Sequence, residues 1–190
     1  MKVSAAGFLA SLVPSSTEVV HWPGNLSFEV QTFVTTTAPP SDFLTSARAV
    51  VLHGDRVLVL TDQSPSTHIL PGGRIEPGEE PRTAAVREAG EESGWHITVG
   101  LQIGVLHFRH LQPRPDGYAH LYPEFFQVVF VAEALRFDEG LREADGWETE
   151  SRFIRIEDAL TLELHAGERL LLAAAQHARS HIPEPDSTED

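Results

Sequence analysis

Apolar and polar positions change period several times along this chain, and the changes mark its elements. Residues 28–34 alternate in the period-two pattern of a half-buried strand. A turn at Trp22-Pro23-Gly24-Asn25 introduces that strand, and Pro39-Pro40-Ser41-Asp42 breaks the pattern after it. Residues 47–52 and 56–60 are short apolar runs joined by His53-Gly54-Asp55, which predicts a tight hairpin. Residues 68–70 are a short extended stretch leading into a glycine turn. Helical signals then take over for 81–93: Pro81 suits a first turn, and Gly94 suits the left-handed position just past the end. Residues 96–109 predict one long or two short strands, 111–122 a long loop carrying Pro113, Pro115 and Gly117, and 125–134 a buried strand. A polar connection over 138–150, a last short strand at 152–156 and two amphipathic helices at 157–164 and 168–179 complete the pattern. The Pro-rich, acidic residues 182–190 predict a disordered tail. Strands, helix, strands, helices is the order of an α/β (α+β) fold with a mixed sheet.

Composition narrows this picture. The 190 residues, 41% hydrophobic and 22% charged, fit one globular domain with a sizeable core. The net charge is −14, with Lys2 the only lysine. So acidic a chain disfavours nucleic acid as a partner, because such binding depends on cationic contacts to phosphate. The absence of cysteine excludes disulfides, zinc–thiolate sites and a thiol nucleophile. The start faintly resembles a signal peptide, but a first strand or helix of the fold is the preferred reading. No stretch approaches the roughly 20 apolar residues of a membrane span, and a cytoplasmic location is expected.

The chemistry concentrates on the predicted helix at 81–93. Glu88, Glu91 and Glu92 stand at i, i+3 and i+4 and share a face, with Val86 and Ala89 expected to turn toward the sheet. Like charges at this spacing repel. Two readings remain open: a solvated acidic face with Arg87 as counterion, or a divalent-cation site, since hard cations take carboxylate oxygens together with substrate phosphates. Just upstream, Leu70-Pro71-Gly72-Gly73-Arg74 offers backbone that can approach a ligand closely.

These residues resemble the Nudix box, G-x5-E-x7-R-E-U-x-E-E-x-G-U, filled here by Gly73, Glu79, Arg87, Glu88, Glu91, Glu92 and Gly94, with Ala89 and Trp95 at the apolar positions. Seven fixed residues coincide by chance on the order of once in 10⁸ starting positions. The resemblance implies a Nudix-like α/β/α sandwich with a mixed β-sheet over 45–181 and an N-terminal β extension, 1–44, packed on or pairing with the core. That extension is read as a dimer interface or a substrate lid, and a homodimer is an open expectation. His68 stands where many members carry tryptophan.

By the same resemblance, Glu88, Glu91, Glu92 and the Gly73 carbonyl are the expected ligands of Mg²⁺ or Mn²⁺, and Arg87 with Glu79 an orienting ion pair. Glu91 or Glu92 could take the proton of the attacking water, as could a loop glutamate outside the box, Glu148 or Glu150. Arg48, Arg74 and Arg109 are candidate phosphate contacts, and Phe108, Tyr118 and Tyr122 candidate stacking surfaces. The implied activity is hydrolysis of a phosphoanhydride in a nucleoside diphosphate linked to another moiety. The substrate is then a nucleotide sugar, ADP-ribose or a nucleoside triphosphate. The competing reading is a non-catalytic nucleotide-binding regulatory module.

Overall fold

The computed structural model describes residues 4–63, 66–143 and 146–183. The predicted tail therefore lies, from residue 184 on, outside the described residues. Among the described residues nine strands form one sheet: β1 (Ser16–Trp22), β2 (Leu26–Val34), β3 (Leu44–His53), β4 (Arg56–Asp62), β5 (Thr67–His68), β6 (Gly72–Arg74), β7 (Trp95–His110), β8 (Glu124–Phe137) and β9 (Glu148–Arg155). Four α-helices accompany them: α1 (Ala5–Ala10), α2 (Pro81–Ser93), α3 (Ile156–Ala159) and α4 (Ala166–Ala178).

The strand order is β1-β2-β7-β8-β3-β4-β5, with β6 pairing β3 and β9 pairing β4. Only β3 and β8 run parallel; the other pairs are antiparallel, so the sheet is mixed. Helices cover both faces, which is why β8 reads as a continuous apolar run rather than an alternating one. On one face Leu171, Leu172 and Ala175 of α4 join Phe28, Val50, Phe108 and Val129 in the main core. On the other, Ala84, Ala85 and Ala89 of α2 pack on Ala47, Ala49, Val128 and Ala132. Small residues on both sides let the glutamate-bearing helix lie close to the sheet.

Several elements differ from the sequence expectation. Val86 is exposed; the buried stripe of α2 is Ala84, Ala85, Ala89, Gly90 and Ser93, the i, i+4 row that includes Ala89. The helix expected at 157–164 shrinks to α3. There the Thr161 hydroxyl donates to the Asp158 carbonyl (2.7 Å), and the Arg169 guanidinium takes the Leu160 and Leu162 carbonyls, so these groups leave the helical ladder. The helix at 5–10 falls where a first strand or helix of the fold was expected, and the strand at 16–22 adds to the expected β extension a second strand that the pattern had not located. The hairpin of β1 and β2 continues the sheet, because β2 pairs with β7 from Phe28↔His110 to Val34↔Gly104. Residues 96–109 form one long strand rather than two, irregular in register near Ile97, Gln102 and Gly104.

A buried carboxylate joins the α4 layer to the strand edge that leads into the glycine turn. Glu168, 5% exposed, accepts from the Ile69 amide (2.9 Å) and the His165 amide (3.0 Å). Burial pushes its carboxyl up, against the pull of those two amides. Glu168→Ala should destabilise the fold by about 2 kcal/mol or more, since each buried amide left unpaired costs about 1–3 kcal/mol. A carboxyl raised on folding contributes most below its ordinary pKa of about 4.3 and loses that contribution as pH rises through the raised value. Urea melts of Glu168→Gln should therefore show a flatter stability–pH curve than the wild type between the ordinary and the raised value. An unchanged slope would sink this account.

Candidate active site

The site is assembled around α2 and the strand before it. Pro81 occupies the first turn of α2 and Gly94, at φ 77°, closes it by donating to the Gly90 carbonyl (2.7 Å), as the sequence predicted. β6 lies against β3 with Ala47 opposite Gly73, which leaves the Gly73 backbone facing α2. A Cβ added at Gly73 would lie 2.3 Å from Oε2 of Glu88, so a side chain there would push that carboxylate from its place.

Arg87 is the hub of the acidic cluster. Its Nε and Nη2 donate to the two carboxylate oxygens of Glu79, each at 3.0 Å, a bidentate fork. Nη1 donates to Glu88 and Glu91, both at 2.9 Å, and Nη2 also reaches the Arg74 carbonyl at 2.9 Å. The hydrogen bonds to Glu79 and then to Glu88 raise the guanidinium pKa further above its ordinary value, and Arg87 holds the Glu79 carboxyl below its own. Burial pushes Glu88 up, opposed by Arg87.

Glu92 lies apart from this hub. It accepts the Gly72 amide (2.9 Å), and burial, aided by the nearby Glu148 and Glu88 charges, pushes it up to about 8 despite the opposing pull of Arg48. A cleft of about 690 Å³ opens above it, lined also by Arg48, His68, Gln127, Glu148 and Trp22. Arg48 is anchored by donating Nε to Gln127 (2.7 Å) and Nη1 to the Leu70 carbonyl (2.8 Å). Burial and Arg48 push His68 down to about 4, so its imidazole is neutral at pH 7.

Of the residues singled out from the sequence, Gly73, Glu79, Arg87, Glu88 and Glu91 gather at the hub, and Glu92, held by the Gly72 amide, has Arg48 and Glu148 beside it. Arg74 and Tyr118 line an adjoining cleft of about 560 Å³, where Arg74 Nη2 meets His120 Nδ1 at 2.9 Å. Two candidates are not brought there. Arg109 follows Phe108 on β7 and so points to the opposite face, where Glu29 holds it at 2.8 Å. Glu150 pairs with Arg152 (3.1 Å) on the exposed side. A bulge at Thr149 sets Glu148 opposite Asp62 and Glu150 opposite the preceding Thr61, which sends the two glutamates to different faces. Phe108 stacks on Phe125 within the core, and Tyr122 donates to the Gln112 carbonyl at 3.3 Å.

Sequence reasoning missed Trp22, His68 as a cleft residue, and Gln127. Trp22 was read only as part of a turn; its place in a Thr-Glu-Val-Val-His-Trp run was the available signal. Among the described residues no three His, Asp or Glu side chains converge into a ready-made cage for an ion. Arg87 draws Glu88 and Glu91 toward itself, while Glu92 turns to Gly72. The donor chemistry nevertheless suits a hard cation: these are oxygen ligands, and Glu92 already feels the repulsion of Glu88 and Glu148 that such an ion would relieve.

A mixed sheet between two helical layers, with a carboxylate helix following a double-glycine strand, makes up the fold and the site. The chain belongs to the NUDIX family: the model described as NUDIX domain matches residues 43–175. It is 30% identical over 136 residues to human diphosphoinositol polyphosphate phosphohydrolase 3-alpha, covering 69% of this chain and 76% of that protein. The mouse protein of the same name is 29% identical, covering 82% and 95%. In fold the chain is similar to a NUDIX hydrolase from Nitrosomonas europaea, with a TM-score of 0.55, 19% identity, and 74% and 91% of the two chains covered. No helix of the described residues is long and apolar enough to cross a membrane.

The hub geometry makes a graded prediction. Arg87→Ala leaves Glu79, Glu88 and Glu91 without their shared cation and should lower the thermal unfolding midpoint. Arg87→Lys should recover only part of the loss, because a single ammonium cannot reproduce the fork. Equal midpoints for Arg87→Lys and wild type, by calorimetry, would contradict the fork as the stabilising feature.

Proposed function

We propose that this chain is a divalent-cation-dependent pyrophosphohydrolase that opens the phosphoanhydride bond of a nucleoside diphosphate joined to a further group. The observation that carries the reading is Glu92 at the floor of an open cleft, charge-crowded by Glu88 and Glu148, on a helix locked to its glycine loop by Arg87. Glu88, Glu91, Glu92 and the Gly73 carbonyl would hold Mg²⁺, or Mn²⁺ in its place. When bound, the ion supplies screening of the diphosphate charge and acidification of the attacking water.

The chain's own residues do the rest. Arg87 and Glu79 position the helix and touch no substrate. Arg48 and Arg74 contact phosphate oxygens along the two clefts. Glu148 accepts the proton of the attacking water as its oxygen adds to one phosphorus and the bridging P–O bond breaks. Of the two loop glutamates Glu148 is favoured because it shares the cleft with Glu92, whereas Glu150 does not.

The name of a Bacillus subtilis relative, putative 8-oxo-dGTP diphosphatase, favours a nucleotide. Those of the diphosphoinositol relatives favour a second reading, in which the diphosphate sits on a polyphosphorylated inositol; the mouse relative is spanned over 95% of its length. Against it, Arg48 and Arg74 are the only arginines or lysines among the described residues lining the two clefts, few for so dense an anion.

Purified protein assayed with Mg²⁺ or Mn²⁺ against nucleotide sugars, ADP-ribose, nucleoside triphosphates and diphosphoinositol polyphosphates should cleave a nucleotide class. Chelation should abolish turnover, and product identification should place the broken bond. Glu92→Gln should reduce kcat/KM by about 100-fold or more with the fold intact. Near-full turnover in that variant would refute the ligand role. Glu148→Gln should fall by about 10²-fold or more, as for loss of a general base, with Glu150→Gln close to wild type. The reverse order would move the base to Glu150.

A further inference from the structure

We infer that the N-terminal hairpin builds a subsite for a planar aromatic ring, with Trp22 as its stacking surface. The inference rests on the nucleotide reading above and adds the part of the chain that binds the base. The hairpin precedes residue 43, where the family match begins. Pairing of β2 with β7 nevertheless carries it to the cleft.

One side of the Trp22 indole is spoken for. Its ring packs on Phe28 (4.7 Å between centroids), Phe108 (5.3 Å) and Phe125 (6.3 Å), so its position is fixed by three core aromatics. The remainder of the side chain, in a residue 38% exposed, lines both clefts at their junction. A large, rigid, half-open aromatic surface at such a junction suits ring stacking, which is tolerant of sequence and strong for bases.

The neighbours of Trp22 in the adjoining cleft include Arg74 and Tyr118. Arg74 starts at the box, where its carbonyl accepts from Arg87, and its guanidinium meets His120. Tyr118, lining the same cleft and held by its hydroxyl to His110 (3.1 Å), comes next, and Trp22 completes the wall. Contacts link these groups in series, Arg74 to His120, His120 to Tyr118, Tyr118 to His110, His110 to Phe28 and Phe28 to Trp22, so cationic, polar-aromatic and apolar-aromatic groups follow one another. A diphosphate, its sugar and a base present their groups in that order. A polyphosphorylated inositol has no aromatic ring to stack on an indole.

The test measures binding separately from turnover. Calorimetric titration of the Mg²⁺-loaded protein with a nucleoside 5′-monophosphate should give a measurable affinity, and ribose 5-phosphate a weaker one. Trp22→Ala should weaken the nucleotide at least about tenfold. Trp22→Phe, which keeps the packing on Phe28 and a ring face, should retain most of the affinity. Thermal melts of both variants check that the hairpin stays folded. Nucleotide binding unchanged in Trp22→Ala, or equal affinity of wild type for the two ligands, would overturn the subsite. In either case hydrolysis of a diphosphate lacking a base would show whether the proposed reaction survives without it.

Discussion

The Arg87 guanidinium is the interaction on which the site depends. Three carboxylates on one turn-and-a-half of helix would push one another into solvent, and the loop before the helix has no side-chain cap to hold it. Arg87 offsets both problems at once. It neutralises Glu88 and Glu91 on its own helix while its fork binds Glu79 and the Arg74 carbonyl in the loop. Planarity matters more than charge here: five donors in a fixed plane can serve helix and loop together, which a flexible ammonium cannot.

That local knot needs a rigid support, and the sheet supplies it from both sides. The alanine stripe of α2 brings the helix close enough for Glu88 to press on the Gly73 backbone. From the opposite layer Glu168 fixes the Ile69 amide, one residue before the Leu70 carbonyl that anchors Arg48. The glycine turn is therefore clamped between a cationic hub in front and a buried carboxylate behind. The single parallel pairing, β3 with β8, places Arg48 beside Gln127 and so joins this clamp to the wall of the second cleft.

What could be read from the sequence follows from how local each feature is. Helix α2, its proline start and glycine stop, and the seven box residues lie within 22 residues of one another, and their spacing alone defines them. The apolar runs at 47–52, 56–60 and 125–134 were legible because burial on both faces leaves a continuous pattern. Features set by register were not. Glu148 and Glu150 look equivalent in sequence, and the bulge at Thr149 separates them. Arg109 looks like any other arginine near a loop until strand alternation turns it away from Phe108. Val86 fits an apolar face on paper, but the buried row of α2 runs through Ala85, Ala89 and Ser93 and leaves it exposed.

Trp22 is the extreme case, since the role proposed for it depends on contacts 86 and 103 residues away, at Phe108 and Phe125. Net charge explains why such a residue would matter. A chain at −14 gains little from long-range attraction of an anionic substrate. At the clefts Arg48 is already committed to Gln127 and the Leu70 carbonyl, which leaves Arg74 as the freer cation. Discrimination among anionic substrates must then come from their uncharged parts. An indole held by three core rings answers that requirement without adding charge, and it stands where the substrate's uncharged end would leave the carboxylate cluster.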